Sequence, residues 1–336
     1  MSIATQGLRF CIFVITAVLF VLWASPLNAQ SQNSDCSYLV LHHSYSQEFD
    51  GYLNLPVYFG SPDVPAGIVP NAGTGFLTFL PHGKVTGKTT LAIGLLGLAQ
   101  DIVFVTPSNY SLAWDTSQTP ALCTGTLALY AANEPPFNFQ LLVTHDGQQI
   151  QMIHTDTGLI VSVTGYLVET AGCSNSMLKG KYSYNAQGWA LNPPGGPASF
   201  PSDQLLSGHF PLAFNGELEF LPHESPSSAV FPESPAGSGS VEFRDTVSAN
   251  GIIHTRHGEG WYKINPDCSG MMAWREADDS QNPDFHLEMV VGKGGETVYV
   301  ANVDTVPGGF TPLFVLGATL SRSDRDADSR AETKPE

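Results

Sequence analysis

Phe137-Asn138-Phe139-Gln140-Leu141-Leu142-Val143-Thr144-His145-Asp146-Gly147-Gln148-Gln149-Ile150-Gln151-Met152 alternates apolar with polar residues, breaks at His145-Asp146-Gly147, and alternates again. A period of two marks a strand with one buried face. Glycine accepts the backbone conformation of a tight turn between two such strands. The same pattern returns without a gap from Phe285 to Asp304. Phe285, Leu287, Met289 and Val291 alternate with His286 and Glu288, Lys293-Gly294-Gly295 turns, and Val298 and Val300 resume. Gly147 falls on Gly295, and Leu141 and Val143 fall on Met289 and Val291.

Three more landmarks repeat in the same order. Cys36-Ser37-Tyr38-Leu39, with Tyr45-Ser46 and Gly51-Tyr52 after it, matches Cys173-Ser174-Asn175-Ser176, with Tyr182-Ser183 and Gly188-Trp189. Gly75 to His82 matches Gly216 to His223, and Cys123-Thr124-Gly125 matches Cys268-Ser269-Gly270. The chain is thus a tandem duplication of a unit of about 140 residues, a common domain size. That period is too long for a solenoid repeat, so each copy is expected to hold its own core. The first copy is assigned to 30–170 and the second to 171–321. Gly and Pro punctuate the chain between short strand patterns, and no long amphipathic helix stands out. The expected fold class is all-β, two tandem antiparallel β-barrels, with β-sandwiches as the alternative. Closure is favoured because it removes sheet edges, which this chain has few lysines to protect.

The 336 residues include 33 Gly and 24 Pro and only 13% charged residues, with a net charge of −17. Nucleic-acid binding needs a basic footprint and is excluded; an anionic membrane surface would repel the chain as well. Arg9 followed by the apolar run Phe10 to Trp23 and the small residues before Gln30 read as a signal peptide over 1–29. The run is too short for a spanning helix. A secreted or periplasmic protein with no stable membrane span after cleavage is expected. Cys11 leaves with the signal, so four cysteines remain: Cys36, Cys123, Cys173 and Cys268. They allow three pairings. Each copy has one at its start and one past its middle, so Cys36–Cys123 and Cys173–Cys268 is the simplest. A zinc site is the rival, and no Cys-x-x-Cys pair supports it.

Leu191 to Phe210 and Pro222 to Gly239 read as long Pro- and Ser-rich loops of the second copy, and 322–336 as a disordered charged tail. Gly83-Lys84-Val85-Thr86-Gly87-Lys88-Thr89 mimics a phosphate-binding loop, but His82 stands where that motif needs Gly, so it reads as a turn. His42, His43, His145 and His154 lack metal-site spacing and read as surface or loop residues. No metal or other cofactor is expected, and no catalytic residue is assigned. The densest polar cluster is His254-Thr255-Arg256-His257-Gly258-Glu259. On a strand ending at Tyr262 and Ile264, the buried face would carry Gly260, Gly258, Arg256 and His254, with His257 opposite. His254, Arg256 and Tyr262 are therefore the candidate ligand-binding set, a polar wall in a barrel. The alternative is that a bulge re-aims the cluster, or that it pairs with Glu259 or Asp245 at the surface. The first copy has no base in Ser111-Leu112-Ala113-Trp114-Asp115, so a site belongs in the second copy.

The second copy reads Cys173-Ser174, then Leu178-Lys179-Gly180-Lys181-Tyr182-Ser183-Tyr184, Gln187-Gly188, Gly260-Trp261-Tyr262 and Asn265-Pro266-Asp267-Cys268-Ser269-Gly270. It resembles a group of exported bacterial proteins, frequent in acidobacterial-type genomes, whose repeating unit resembles a calycin-like barrel of the lipocalin or allene oxide cyclase kind. The resemblance covers the second copy and the later half of the first. The first copy departs at His42-His43, where Lys-Gly would stand, and at Thr116-Ser117-Gln118-Thr119-Pro120. What it implies is a fold; the group has no agreed catalytic motif to carry over. The reading is an exported tandem β-barrel protein that binds a small apolar or amphipathic ligand. The alternatives are a cyclase- or isomerase-like enzyme using the barrel lumen, with Arg256 and His254 inward, and an extracellular adhesion or interaction module working through its loops.

Overall fold

The computed structural model describes residues 36, 41–54, 67–94, 97–117, 122–132, 134–144, 147–168, 172–191, 209–227, 230–249, 252–277, 285–305 and 314–323. The stretch 1–29 read from sequence as a signal peptide, together with His145, most of the 191–210 stretch and the residues beyond 323, lies outside these residues.

The first copy folds as β1 (Ser44–Asn54), β2 (Ile68–Leu80), β3 (Lys84–Ile93), β4 (Gly97–Asp115), β5 (Leu122–Ala131), β6 (Phe137–Val143), β7 (Gln149–His154) and β8 (Leu159–Val168). The second follows as β9 (Gly180–Leu191), β10 (His209–Leu221), β11 (Gly239–Ala249), β12 (Ile252–Ile264), β13 (Ser269–Glu276), β14 (Phe285–Val291), β15 (Thr297–Asn302) and β16 (Phe314–Arg322). Each set is a closed antiparallel barrel in which every strand pairs with its sequence neighbour and the last closes on the first. The fold is all-β with two barrels, not two sandwiches. The duplicated stretch is β6–β7 and β14–β15, with matching registers such as Leu141↔Met152 and Met289↔Val300. Arg322, assigned to the tail from sequence, is the last residue of β16.

Alternation explains the interiors. In β11, Val241, Phe243, Asp245 and Val247 are buried and the residues between them are less so. One end of each barrel is sealed by the segment that precedes its first strand. Leu41 and Leu178 are fully buried there, and the two disulfides, Cys36–Cys123 and Cys173–Cys268, staple those segments to β5 and to the turn before β13. Each closes a loop near 90 residues (separations 87 and 95), which stabilises by roughly 2–4 kcal/mol in the chain-entropy account. The same aromatic stack sits above each seal. Tyr45 meets Phe79 edge-on at 5.6 Å and Phe79 meets Tyr110 at 5.0 Å; Tyr182, Phe220 and Tyr262 repeat this at 5.1 and 4.8 Å. The Tyr45 hydroxyl donates to the carbonyl of Gly147, and that of Tyr182 to Gly295, so the aligned glycines of the repeat are aligned acceptors.

The glycine- and lysine-rich stretch after Pro81 is a hairpin. His82 (φ 62°) and Gly83 (φ 73°) turn the chain, and Thr89 then points into the first barrel and donates to the carbonyl of Thr74. The Pro- and Ser-rich stretch after Pro222 is packed rather than loose, since Phe231 is buried against Trp261 and Ala273 outside the second barrel.

The barrels meet through the outward faces of β1–β3 and β14–β16. Thr319 donates to Glu48 and Thr90 donates to Glu288, and the Tyr166 ring stacks on Tyr299 at 5.5 Å. Burial drives the Glu48 carboxyl above its usual range; the Thr319 bond opposes this and nearby Asp50 adds to it.

Candidate functional site

The second barrel carries a charged row inside its unsealed half. Tyr184 of β9 pairs in register with Gly216 of β10, Gly216 with Asp245 of β11, and Asp245 with Arg256 of β12. All four occupy inward positions. Gly216 is needed here because a side chain would begin 2.5 Å from both the Arg244 carbonyl oxygen and Asp245 Cβ. With that position empty, the Tyr184 hydroxyl reaches across β10 and donates to Asp245 Oδ2 at 2.6 Å. Arg256 donates from Nε to Oδ1 at 3.0 Å and from Nη2 to Oδ2 at 2.6 Å. This two-point pair holds the planar guanidinium in one orientation. Its carbon lies 5.3 Å from the Phe214 ring centre and 5.8 Å from that of Phe243, within range of cation–π attraction.

Asp245 has no exposed side-chain surface, whereas the Arg256 side chain keeps 21%. The carboxylate is thus consumed by its partners, while the cation retains an open edge. Among the described residues no hydrogen bond is made by Arg256 Nη1. Burial, then the Asp245 charge, push the Tyr184 phenol well above its ordinary value, so it acts as a fixed donor and not as an acid at neutral pH. Around this row runs an aromatic band: Trp274 stacks on Phe285 at 5.5 Å and 7°, Phe285 meets Phe314 at 4.9 Å, and Phe243 lies 5.3 Å from Trp274. Such a wall suits the apolar body of a ligand, and the guanidinium suits a carboxylate or carbonyl.

Of the three residues expected to form the site, Arg256 sits in it. His254 has inward parity opposite Val247, but β12 is solvent-exposed at this end and its ring is exposed. Tyr262 stands six residues along the strand, about 20 Å away, in the sealed end. There it is fully buried and its hydroxyl, 3.2 and 3.1 Å from the carbonyls of Asn175 and Leu178, donates to the sealing segment. Burial raises the Tyr262 phenol above its usual value too. Tyr262 is therefore part of the core stack. Arg256 does pair with Asp245, as the surface alternative supposed, but inside the barrel.

Tyr184 and Asp245 join the site without being among the candidates that the sequence offers. Both had a legible signal: an acid in phase with Val241, Phe243 and Val247, and a tyrosine in phase with Tyr182 and Ala186. The same oversight affects His154. The sequence reading places it on the surface or in a loop, yet it follows Ile150 and Met152 in phase and is buried, with its ring 5.0 Å from Phe139. Burial holds its imidazole below the ordinary range, against the pull of Asp156. Its Nε2 lies 3.2 Å from Asp156 Oδ2 but out of line for a hydrogen bond.

Among the described residues no three His, Cys, Asp or Glu side chains converge on a metal position, and no helix is long and apolar enough to cross a membrane. No protein-family model matches the chain, and no curated protein matches it.

Proposed function

We propose that the chain is an exported, calycin-like tandem β-barrel protein whose second barrel binds a small amphipathic ligand. The observation that carries this reading is Arg256, aligned by Asp245 between the Phe214 and Phe243 rings with one edge of its guanidinium unused. The apolar part of the ligand lies against Trp274, Phe285 and Phe314, and an acceptor group meets Arg256. Export is supported by the two intrachain disulfides, which persist in oxidising compartments. The up-and-down order of eight strands supports the calycin-like reading.

The anionic naphthalene dye ANS has the required shape, an apolar ring system with a sulfonate. The mature protein is expected to bind it saturably, with quenching of tryptophan emission. The double variant Asp245→Asn, Arg256→Met leaves no unpaired charge and should bind at least tenfold more weakly, a loss of about 1.4 kcal/mol. Unchanged affinity in a variant with wild-type circular dichroism would remove Arg256 from the site. Native mass spectrometry of protein recovered from its own periplasm or medium identifies the physiological ligand.

A further inference from the structure

A second site stands outside both lumens, in the angle where the barrels diverge. A cleft of about 360 Å³ opens there, with Asp50 and Tyr52 of β1 on one side and Gln187, Trp189 of β9 and Ser248 of β11 on the other. All five side chains are at outward positions of their strands, so none belongs to a barrel core. The volume falls within the range of small-molecule sites.

Its chemistry is one-sided. The Tyr52 and Trp189 rings, one from each barrel, approach at 6.2 Å between centres and 76° between planes. They form two walls of an aromatic corner. Tyr52 keeps 40% of its surface and Trp189 is half-buried, so both have faces to offer. Asp50 is exposed and makes no hydrogen bond or ion pair among the described residues, and partial desolvation raises its carboxyl above the usual range. Among the described residues, no Lys, Arg or His lines the cleft. Ala72, Pro211 and Val315 provide an apolar floor.

An anion is repelled by this arrangement, and a hydrated metal ion gains little from two rings and one carboxylate. A cation with an apolar surface gains from every wall: the rings attract it through their quadrupoles, the carboxylate supplies the counter-charge, and the floor covers its alkyl groups. The chain's net charge of −17 also draws cations toward it. We propose that this inter-barrel cleft binds an alkylammonium cation, with Tyr52 and Trp189 as ring walls and Asp50 as the counter-ion. The site is independent of the Arg256 pocket and of opposite charge preference.

The test is a calorimetric titration of the mature protein with choline chloride and with tetramethylammonium chloride, against a NaCl blank of equal ionic strength. Saturable binding is expected in the wild type and in Arg256→Met with Asp245→Asn. A loss of at least tenfold is expected in Asp50→Asn, which changes charge without shape, and in Trp189→Ala, with partial retention in Trp189→Phe. The absence of binding above the NaCl blank overturns the proposal. So does binding that survives Asp50→Asn unchanged, which would remove the carboxylate as the counter-ion. Loss of choline binding only in the Arg256 double variant would place the cation in the lumen and overturn it as well.

Discussion

At Phe49 in the first barrel the paired residue on the next strand is Gly73, and the Phe49 ring fills the space a side chain there would need, with Cζ 2.2 Å from where its Cβ would stand. At the corresponding place in the second barrel the sizes are exchanged: Ala186 sits opposite Phe214. Each pair fills its layer, but the ring enters from a different strand. The exchange continues along the unsealed half. Where the second barrel has the row Tyr184, Gly216, Asp245 and Arg256, the first has Gln47, Gly75, Thr89 and Ile102, in equivalent register. Where the second has Phe243 opposite Leu218, the first has Gly87 opposite Leu77. The sealed halves, by contrast, keep Tyr, Phe and Tyr in both. The duplication has thus retained the end that stabilises each barrel and diverged at the end that faces outward. The row is neutral in the first barrel, whereas the second presents a charge among rings.

The largest way to break this contrast is Asp245→Asn. It leaves the Arg256 guanidinium facing a neutral amide inside the barrel and should cost the second barrel about 3 kcal/mol. Thr89→Ala at the matching position of the first barrel removes one hydrogen bond and should cost about 1 kcal/mol. Urea unfolding of the two variants compares them directly; equal losses would mean that the charged row is energetically no different from its neutral counterpart.

A smaller effect of opposite sign is expected at Asn71. Both atoms of its amide are buried in the first barrel with no hydrogen-bond partner among the described residues, opposite Gly51, whereas the second barrel has Leu212 opposite Gly188. Leu branches as Asn does, so Asn71→Leu exchanges an unsatisfied polar group for an apolar one of similar outline. The expected gain is about 1–2 kcal/mol, seen as a higher midpoint in the same urea experiment. A lower midpoint would show that the amide is satisfied by something the buried geometry conceals.

The smallest effect is in pH dependence. His154 is aligned with Asn302, and both serve a strand pair locked by an aspartate, Asp156 or Asp304. Because burial lowers the folded-state value of His154, the unfolded chain takes up a proton first as pH falls below the reference value of 6.5. The histidine's contribution is therefore intact above that pH and is lost below it. His154→Asn, which copies the second barrel, should flatten this part of the profile. Melting curves collected from about pH 7.5 to 5 check it, and an unaltered slope would place the titration elsewhere.

Much of this is legible in the sequence. The repeat, the strand pair at Phe137 to Met152, the disulfide pairing and the inward parity of Arg256 follow from periods and spacings along the chain. What was not legible depends on which strand lies beside which, and at what offset. Arg256 finds Asp245 only because β11 and β12 pair with those residues opposite, and Tyr184 joins them only across a strand whose residue at that row is glycine. His254, Arg256 and Tyr262 were grouped by closeness in sequence, yet a strand carries residues apart at about 3.3 Å per position, so Tyr262 belongs to the opposite end.

By itself, then, the sequence determined an all-β chain built twice from one unit, because alternation, turn glycines and repeated spacing are local properties that each segment carries alone. The tertiary structure alone decided that the sheets close into barrels, that the aspartate of β11 neutralises one edge of an arginine and leaves the other open, and that Asp50, Tyr52 and Trp189 share a cleft. Those outcomes are set by strand register and by the way two curved surfaces meet, and both arise from packing between residues far apart in the chain.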